Sequence, residues 1–156
     1  MIEKKDLNQS DSFVEAASHL IVYQIKTSWL NIQKIGDKMS KKYDVTLSIA
    51  FVLMAIFEDE GTPVTKIAPR IGLEPNSLSR VLKTMEQKKF IKKIADKKDK
   101  RIVLIKLTKK GKEHREIALR AVFKIENNLA EGIDKNDLAA FFRVMNVINH
   151  KLSTNI

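Results

Sequence analysis

Residues 96–111 read DKKDKRIVLIKLTKKG. Six consecutive charged side chains run straight into a stretch dominated by isoleucine, valine and leucine. Residues 102–107 are strongly β-branched and read as a strand, and IKKIA at 91–95 reads as another. DKKDKR is then the loop between them, so the charge sits at the tip of a β-hairpin.

Working upstream, TKIAPRIG at 65–72 predicts a short helix capped by Thr65. Ile67, Ala68 and Ile71 face inward, Lys66 and Arg70 outward, Pro69 falls near the end of the first turn, and Gly72 supplies the stop. LEPNSLSRVLKTMEQKKF follows, with Glu74 at the N-cap position, Pro75 at the first helical position, and a stripe of Leu78, Val81, Leu82 and Met85. Two short helices joined at a glycine have the spacing of a helix-turn-helix. Earlier still, residues 11–42 place Phe13, Ala17, Leu20, Ile21, Ile25, Trp29, Ile32 and Ile35 three and four apart, which predicts one long amphipathic helix. Thr46 caps a second helix running to Phe57 that is apolar on nearly every side and therefore central. EDEGTP at 58–63 ends it with turn chemistry.

The 156 residues carry a net charge of +10 and a pI near 9.7, which favours a polyanionic partner. Between residues 83 and 112 there are thirteen basic side chains against Glu86, Asp96 and Asp99, and the rest of the chain balances. The whole excess lies in that segment.

Its placement can serve duplex DNA. Asn76, Ser77, Arg80, Lys83 and Thr84 form the outer face of the second short helix; asparagine pairs bidentately with adenine and arginine with guanine, although any surface helix turns polar residues outward. At the hairpin tip Arg101 can enter a minor groove, where A·T tracts concentrate negative potential, while Lys97, Lys98 and Lys100 meet phosphates. Asp99 is repelled by DNA. It either orients the Arg101 guanidinium through a charge-assisted hydrogen bond or simply makes the turn.

At these residues the sequence resembles the MarR family of bacterial winged-helix transcription regulators. The resemblance is carried by the wing pattern Asp99, Lys100, Arg101 with its exit Leu107, Thr108, Lys109, Lys110, Gly111, and by SLSRVLKTMEQKKFIKK. Lys89 stands where the family commonly has a glycine, and Ile102 where a small polar residue is frequent. The resemblance implies a mainly α fold with a small β-hairpin wing: a winged helix-turn-helix over 46–111 that binds DNA, and terminal dimerisation helices over 1–45 and 112–156. Residues expected on DNA are Thr65, Lys66, Asn76, Ser77, Ser79, Arg80, Lys83, Lys98, Asp99, Lys100 and Arg101.

The terminal stripes are Ile117, Ala121, Val122, Ile125 and Leu129 within 112–131, and Leu138, Phe141, Phe142, Met145, Ile148 and Leu152 within 135–152. By themselves they say only that both helices bury a face; the resemblance implies that a second copy covers it. It also implies a small amphipathic or aromatic effector held against the first, second and fifth helices, with Tyr23, Trp29 and Phe51 as the large side chains available, unless these are plain core. EGTPVTKIAPRIGLEPNSLSR is similar to a branch of the family found beside fatty-acid degradation genes, which points to an acyl-CoA-type effector.

Other chemistry is not expected. The chain has no cysteine, and His19, His114 and His150 lack chelating spacing, so neither a metal site nor a cofactor is predicted. No nucleophile elbow, phosphate loop or glycine-rich dinucleotide turn appears, so an enzyme is not expected. MIEKKDLNQSDSF lacks the apolar core of a signal peptide and no apolar run approaches the roughly 18 residues of a membrane span, so a cytoplasmic location is expected. Two other readings stay open: a basic architectural or RNA-binding protein without an effector, and a helical interaction scaffold whose lysines keep it soluble.

Overall fold

The computed structural model describes residues 13–56 and 60–154. Residues 11 and 12 of the expected first helix, Phe57 at the expected end of the second, and Glu58 and Asp59 of the turn lie outside them. The chain divides into two compact units, 1–118 and 119–156.

The described part of the first unit has two helices where one was expected: α1 (Phe13–Ala17) and α2 (Ile21–Tyr43). The break has a local cause. The Ser18 hydroxyl donates to the Glu15 carbonyl at 2.6 Å, Leu20 is extended, and the Gln24 side chain donates to the Ser18 carbonyl. Side-chain bonds to backbone groups compete with the helical ladder, and here they win for three residues. Asp44 ends α2 in the left-handed region, which aspartate tolerates, and its N–H returns to the Ser40 carbonyl.

Thr46 caps α3 (Leu47–Ala55) as expected, its hydroxyl oxygen accepting the Ile49 N–H at 3.2 Å. Ile49, Ala50, Val52, Leu53 and Ala55 are all buried, so α3 is the pillar of the unit. Against it pack Ile67, Leu78, Leu82, Met85, Phe90, Ile105 and Leu107.

Thr62 and Pro63, expected to be turn, form a two-residue strand β1 that pairs antiparallel with Ile105 and Leu104. A strand containing proline belongs at an edge, and β1 is one edge of the β1-β3-β2 sheet. This pairing also corrects the expected cap of α4 (Val64–Ile71). Pro63 occupies the N-cap position, no side chain caps it, and Thr65 lies inside the first turn, because the chain passes from strand to helix without a spare residue. Pro69 is the sixth helical residue, beyond the first turn, and denies the Thr65 carbonyl its helical donor. Gly72 stops the helix at φ 63°.

Helix α5 (Pro75–Gln87) follows, with Glu74 at its N-cap position making no side-chain bond and Leu78, Leu82 and Met85 buried. The chain then reverses through Lys89, whose φ is 59°. A lysine has thus taken the left-handed geometry that suits glycine. Such a backbone costs a residue with a Cβ about 1–2 kcal/mol, offset in part by the looser unfolded chain of a glycine. Lys89→Gly is therefore expected to raise stability by about 0.5–1 kcal/mol, read as a higher urea midpoint at unchanged slope.

Strands β2 (Ile91–Ala95) and β3 (Val103–Leu107) pair antiparallel, Ile91 with Leu107 and Ala95 with Val103. Ile102, expected as the first strand residue, belongs to the turn: its N–H donates to the Asp99 carbonyl and its carbonyl accepts from the Asp96 N–H. Helix α6 (Lys109–Ala130) starts three residues earlier than the expected 112. Thr108 is the reason. Its side chain accepts the Gly111 N–H at 3.0 Å, capping the helix, and donates to the Lys89 carbonyl at 2.7 Å. Gly111 itself sits against backbone: a Cβ built there would stand 1.9 Å from the Phe90 carbonyl oxygen. The segment from Leu107 to Gly111 is thus a latch that pins the start of α6 to the turn after α5.

The second unit holds the rest of α6 and α7 (Lys135–Thr154), whose first turn is tied by the Asp134 carboxylate accepting the Asn136 N–H at 2.7 Å. No residue of α7 is buried within one chain; Phe141, Phe142, Val144, Val147 and Leu152 are each half exposed or more.

Candidate nucleic-acid interface

Helix α5 presents Asn76, Ser77, Arg80 and Lys83 to solvent, because burying Leu78, Leu82 and Met85 fixes its rotation. Ser79 is also exposed, but its hydroxyl donates to the Pro75 carbonyl at 3.0 Å, and Thr84 donates to Arg80 at 3.2 Å. Ser77 makes no such bond among the described residues. Thr65 and Lys66 are exposed in the first turn of α4.

The wing tip is built by two aspartates, of which the sequence singled out one. Asp96 accepts the N–H groups of Lys98 and Asp99 at 2.7 and 3.0 Å, which turns the chain. Those two backbone bonds, Asp99's first, hold the Asp96 carboxyl below its ordinary pKa. Asp99 makes the bonds that both of its expected readings call for. It accepts the Arg101 N–H at 3.0 Å, and its two oxygens take Nε and Nη2 of the Arg101 guanidinium, each at 3.1 Å. This bidentate fork, and secondly the backbone bond, lower the Asp99 pKa. The Arg101 side chain is 92% exposed. Among the described residues the Asp99 carboxylate is what holds it, through Nε and Nη2. Lys98 and Lys100 flank it, exposed.

Three other lysines of the basic segment are spent inside the protein. Lys93 pairs with Glu86 on α5 at 2.9 Å, Lys88 pairs with Asp44 at the end of α2, and Lys110 donates to the Lys88 carbonyl at 3.1 Å while lying over the Phe90 ring. The Lys88 hydrogen bond and charge are the main causes of a lowered Asp44 pKa. These contacts fasten the C-terminal end of α5, and nothing in the pattern of lysines foretold which would be structural.

A crevice of about 680 Å³ opens between α2, the start of α3 and the end of α4. Trp29 and Phe51 both line it, with Gln33, Asp37, Arg70 and the Gly72 turn. Tyr23 is not among its walls; that ring meets Phe13 edge-on at 6.2 Å. The fifth long helix, α6, contributes no wall within one chain, and α4 takes the place expected for it. Arg70 donates to the Ala55 carbonyl at 3.3 Å. His114 stacks on Phe90 at 4.3 Å, and among the described residues no group of three or more potential ligands could hold a metal.

Residues 45–103 match the model of the MarR family. The HTH-type transcriptional regulator SarZ of Staphylococcus aureus is 32% identical over 110 residues, which cover 62% of this chain and 74% of that one. The chain belongs to the MarR family. As a MarR-family protein it is a winged helix-turn-helix transcription regulator that binds DNA, with α4 and α5 as the helix pair and β2-β3 as the wing hairpin. The fold agrees along most of the length. A MarR/EmrR family regulator from Acinetobacter sp. ADP1 superposes with a TM-score of 0.80 at 22% identity, covering 88% of this chain and 98% of that one. CouR from Rhodococcus jostii RHA1, solved bound to p-coumaroyl-CoA, gives 0.76 at 19% identity over 89% and 95%.

Proposed function

We propose that the protein is a ligand-responsive repressor that binds a pseudo-palindromic operator as a homodimer in the cytoplasm. The observation that carries the reading is the exposed Arg101 guanidinium, held in register by Asp99 beside a helix whose Asn76, Ser77, Arg80 and Lys83 face solvent. Residues 46–111 are then the DNA-binding domain. Residues 1–45 and 112–156 dimerise, which gives the exposed Phe141, Phe142, Val144, Val147 and Leu152 a partner to bury them.

Such a dimer places its two α5 helices in successive major grooves, about 34–36 Å apart. Light scattering should give a dimer at micromolar concentration, and footprinting should give one protected palindrome with half-sites about one helical turn apart. A monomer with undiminished DNA affinity would contradict the reading; protection without a discrete palindrome would favour an architectural protein instead.

The crevice is the effector site of this reading. Trp29 and Phe51 offer ring faces and Arg70 a cation, which suits an aromatic or amphipathic acid or its CoA ester; CouR was solved both with p-coumaroyl-CoA and, as a transcriptional repressor, on a 23-mer duplex. An effector can shift operator binding only by its differential affinity for the two dimer spacings, so a tenfold release needs about 1.4 kcal/mol. Linkage requires the operator to weaken the effector equally. Calorimetry with p-coumaroyl-CoA and with a phenolic acid, each with and without operator, is expected to show that reciprocal loss for one of them; equal affinities in both states would mark a bystander.

A further inference from the structure

Two lysines of the wing sheet have no use in the interface described so far. Lys92 and Lys106 are cross-strand partners in the β2-β3 register, so their side chains leave the same face side by side. Like charges placed directly opposite destabilise a strand pair. Among the described residues neither has an ion pair or a hydrogen bond, while Lys88, Lys93 and Lys110 around them all do. Lys106 is moreover half-buried, and among the described residues no carboxylate pairs with it.

The face has a direction. Ile91, Lys93, Ile105 and Leu107 share the inner side, and from there Lys93 reaches Glu86 on α5; the recognition helix therefore lies on that side. Lys92 and Lys106 leave the opposite side. With α5 in a major groove and the wing tip in the adjoining minor groove, that outer face looks along the duplex past the wing. Lys106 stands three residues up β3 from Val103, roughly 10 Å of strand, so a flank that reaches it must curve toward the protein.

We propose that Lys92 and Lys106 clamp backbone phosphates of duplex DNA flanking the operator, beyond the wing. The proposal rests on the DNA-binding reading above. It assigns the cross-strand charge pair a polyanion as its missing counter-charge, and gives the protein a footprint longer than its base-reading elements span.

The test uses a duplex enriched by wild-type protein from a randomised library, prepared blunt at the selected site and extended by about 10 bp, one helical turn, on each side. Fluorescence anisotropy across a salt series is expected to show wild type binding the extended duplex at least about fivefold more tightly than the blunt one at low salt. Its salt slope should be steeper by about 1.8 per subunit, as two more phosphates are neutralised. Lys92→Gln/Lys106→Gln should keep the blunt-duplex affinity within about twofold and lose the gain from extension and the added slope. In low salt its melting temperature should equal or exceed that of wild type, since a like-charge pair is gone. A gain that survives in the double variant, or is missing in wild type, overturns the clamp and leaves an acidic polypeptide as the candidate for that face. Failure of wild type to enrich any sequence would defeat the DNA-binding reading itself.

Discussion

Gly111→Ala is expected to remove about 3–5 kcal/mol of stability, enough to leave much of the protein unfolded at 37 °C. The added Cβ would stand 1.9 Å from the Phe90 carbonyl oxygen, and neither atom can swing away as the end of a flexible side chain would. Relief must come from moving the first turn of α6 off the turn that follows α5. That movement breaks the Thr108 N–H bond to the Phe90 carbonyl and strains the Thr108 hydroxyl bond to Lys89. It also uncovers Phe90, which is fully buried against the core. Thr108→Val keeps the volume and loses only the cap and the hydroxyl bond, so about 1–2 kcal/mol is expected. Urea denaturation of both variants measures the difference; a loss under 1 kcal/mol for Gly111→Ala would show that the latch yields freely.

The two motifs at either end of the opening stretch therefore do different work, and only one was legible as such. The hairpin and its charged tip follow from β-branched periodicity and turn chemistry, which are local. So do the Thr46 cap, the buried α3 and the stripe of α5, where burial at three- and four-residue spacing leaves little choice. What could not be read was set by distant partners. β1 exists because Thr62 and Pro63 find Ile105 and Leu104, more than 40 residues later, and that pairing displaced Thr65 from the cap. The helix break at Ser18 was settled by side-chain bonds that outcompete an otherwise continuous apolar stripe. Likewise, Lys88 and Lys93 look like the tip lysines in sequence, and only Asp44 and Glu86 make them structural. At the crevice, Trp29 and Phe51 converge while Tyr23 packs elsewhere, because Trp29, Gln33 and Asp37 recur every four residues on one face of α2 and Tyr23, six residues before Trp29, falls on another.

Arg101→Ala is expected to weaken operator binding by about 1–3 kcal/mol, roughly 5- to 150-fold, and Asp99→Asn should show how much of that depends on aim. An asparagine can still accept the Arg101 backbone N–H that Asp99 takes at 3.0 Å, so the turn survives. It cannot offer the two charged oxygens that hold Nε and Nη2. If the carboxylate's task is to aim the guanidinium, Asp99→Asn loses affinity for operator while affinity for random duplex stays level or rises, since a negative charge has left the wing. If its task is only the turn, both affinities rise together. The pair itself introduces no pH dependence near neutrality. Asp99's pKa is lowered in the folded protein, so the fork is present above the ordinary carboxylate range and is lost only as the pH falls through that lowered value. Lys98→Ala and Lys100→Ala should behave differently from both, weakening all duplexes alike and flattening the salt dependence by about one ion each. Arg80→Ala and Asn76→Ala should relax sequence preference along with affinity. Fluorescence anisotropy on operator and random duplex across a salt series separates the three behaviours. Equal losses on both duplexes for Arg80→Ala would remove α5 from base reading and leave the wing to position the protein alone.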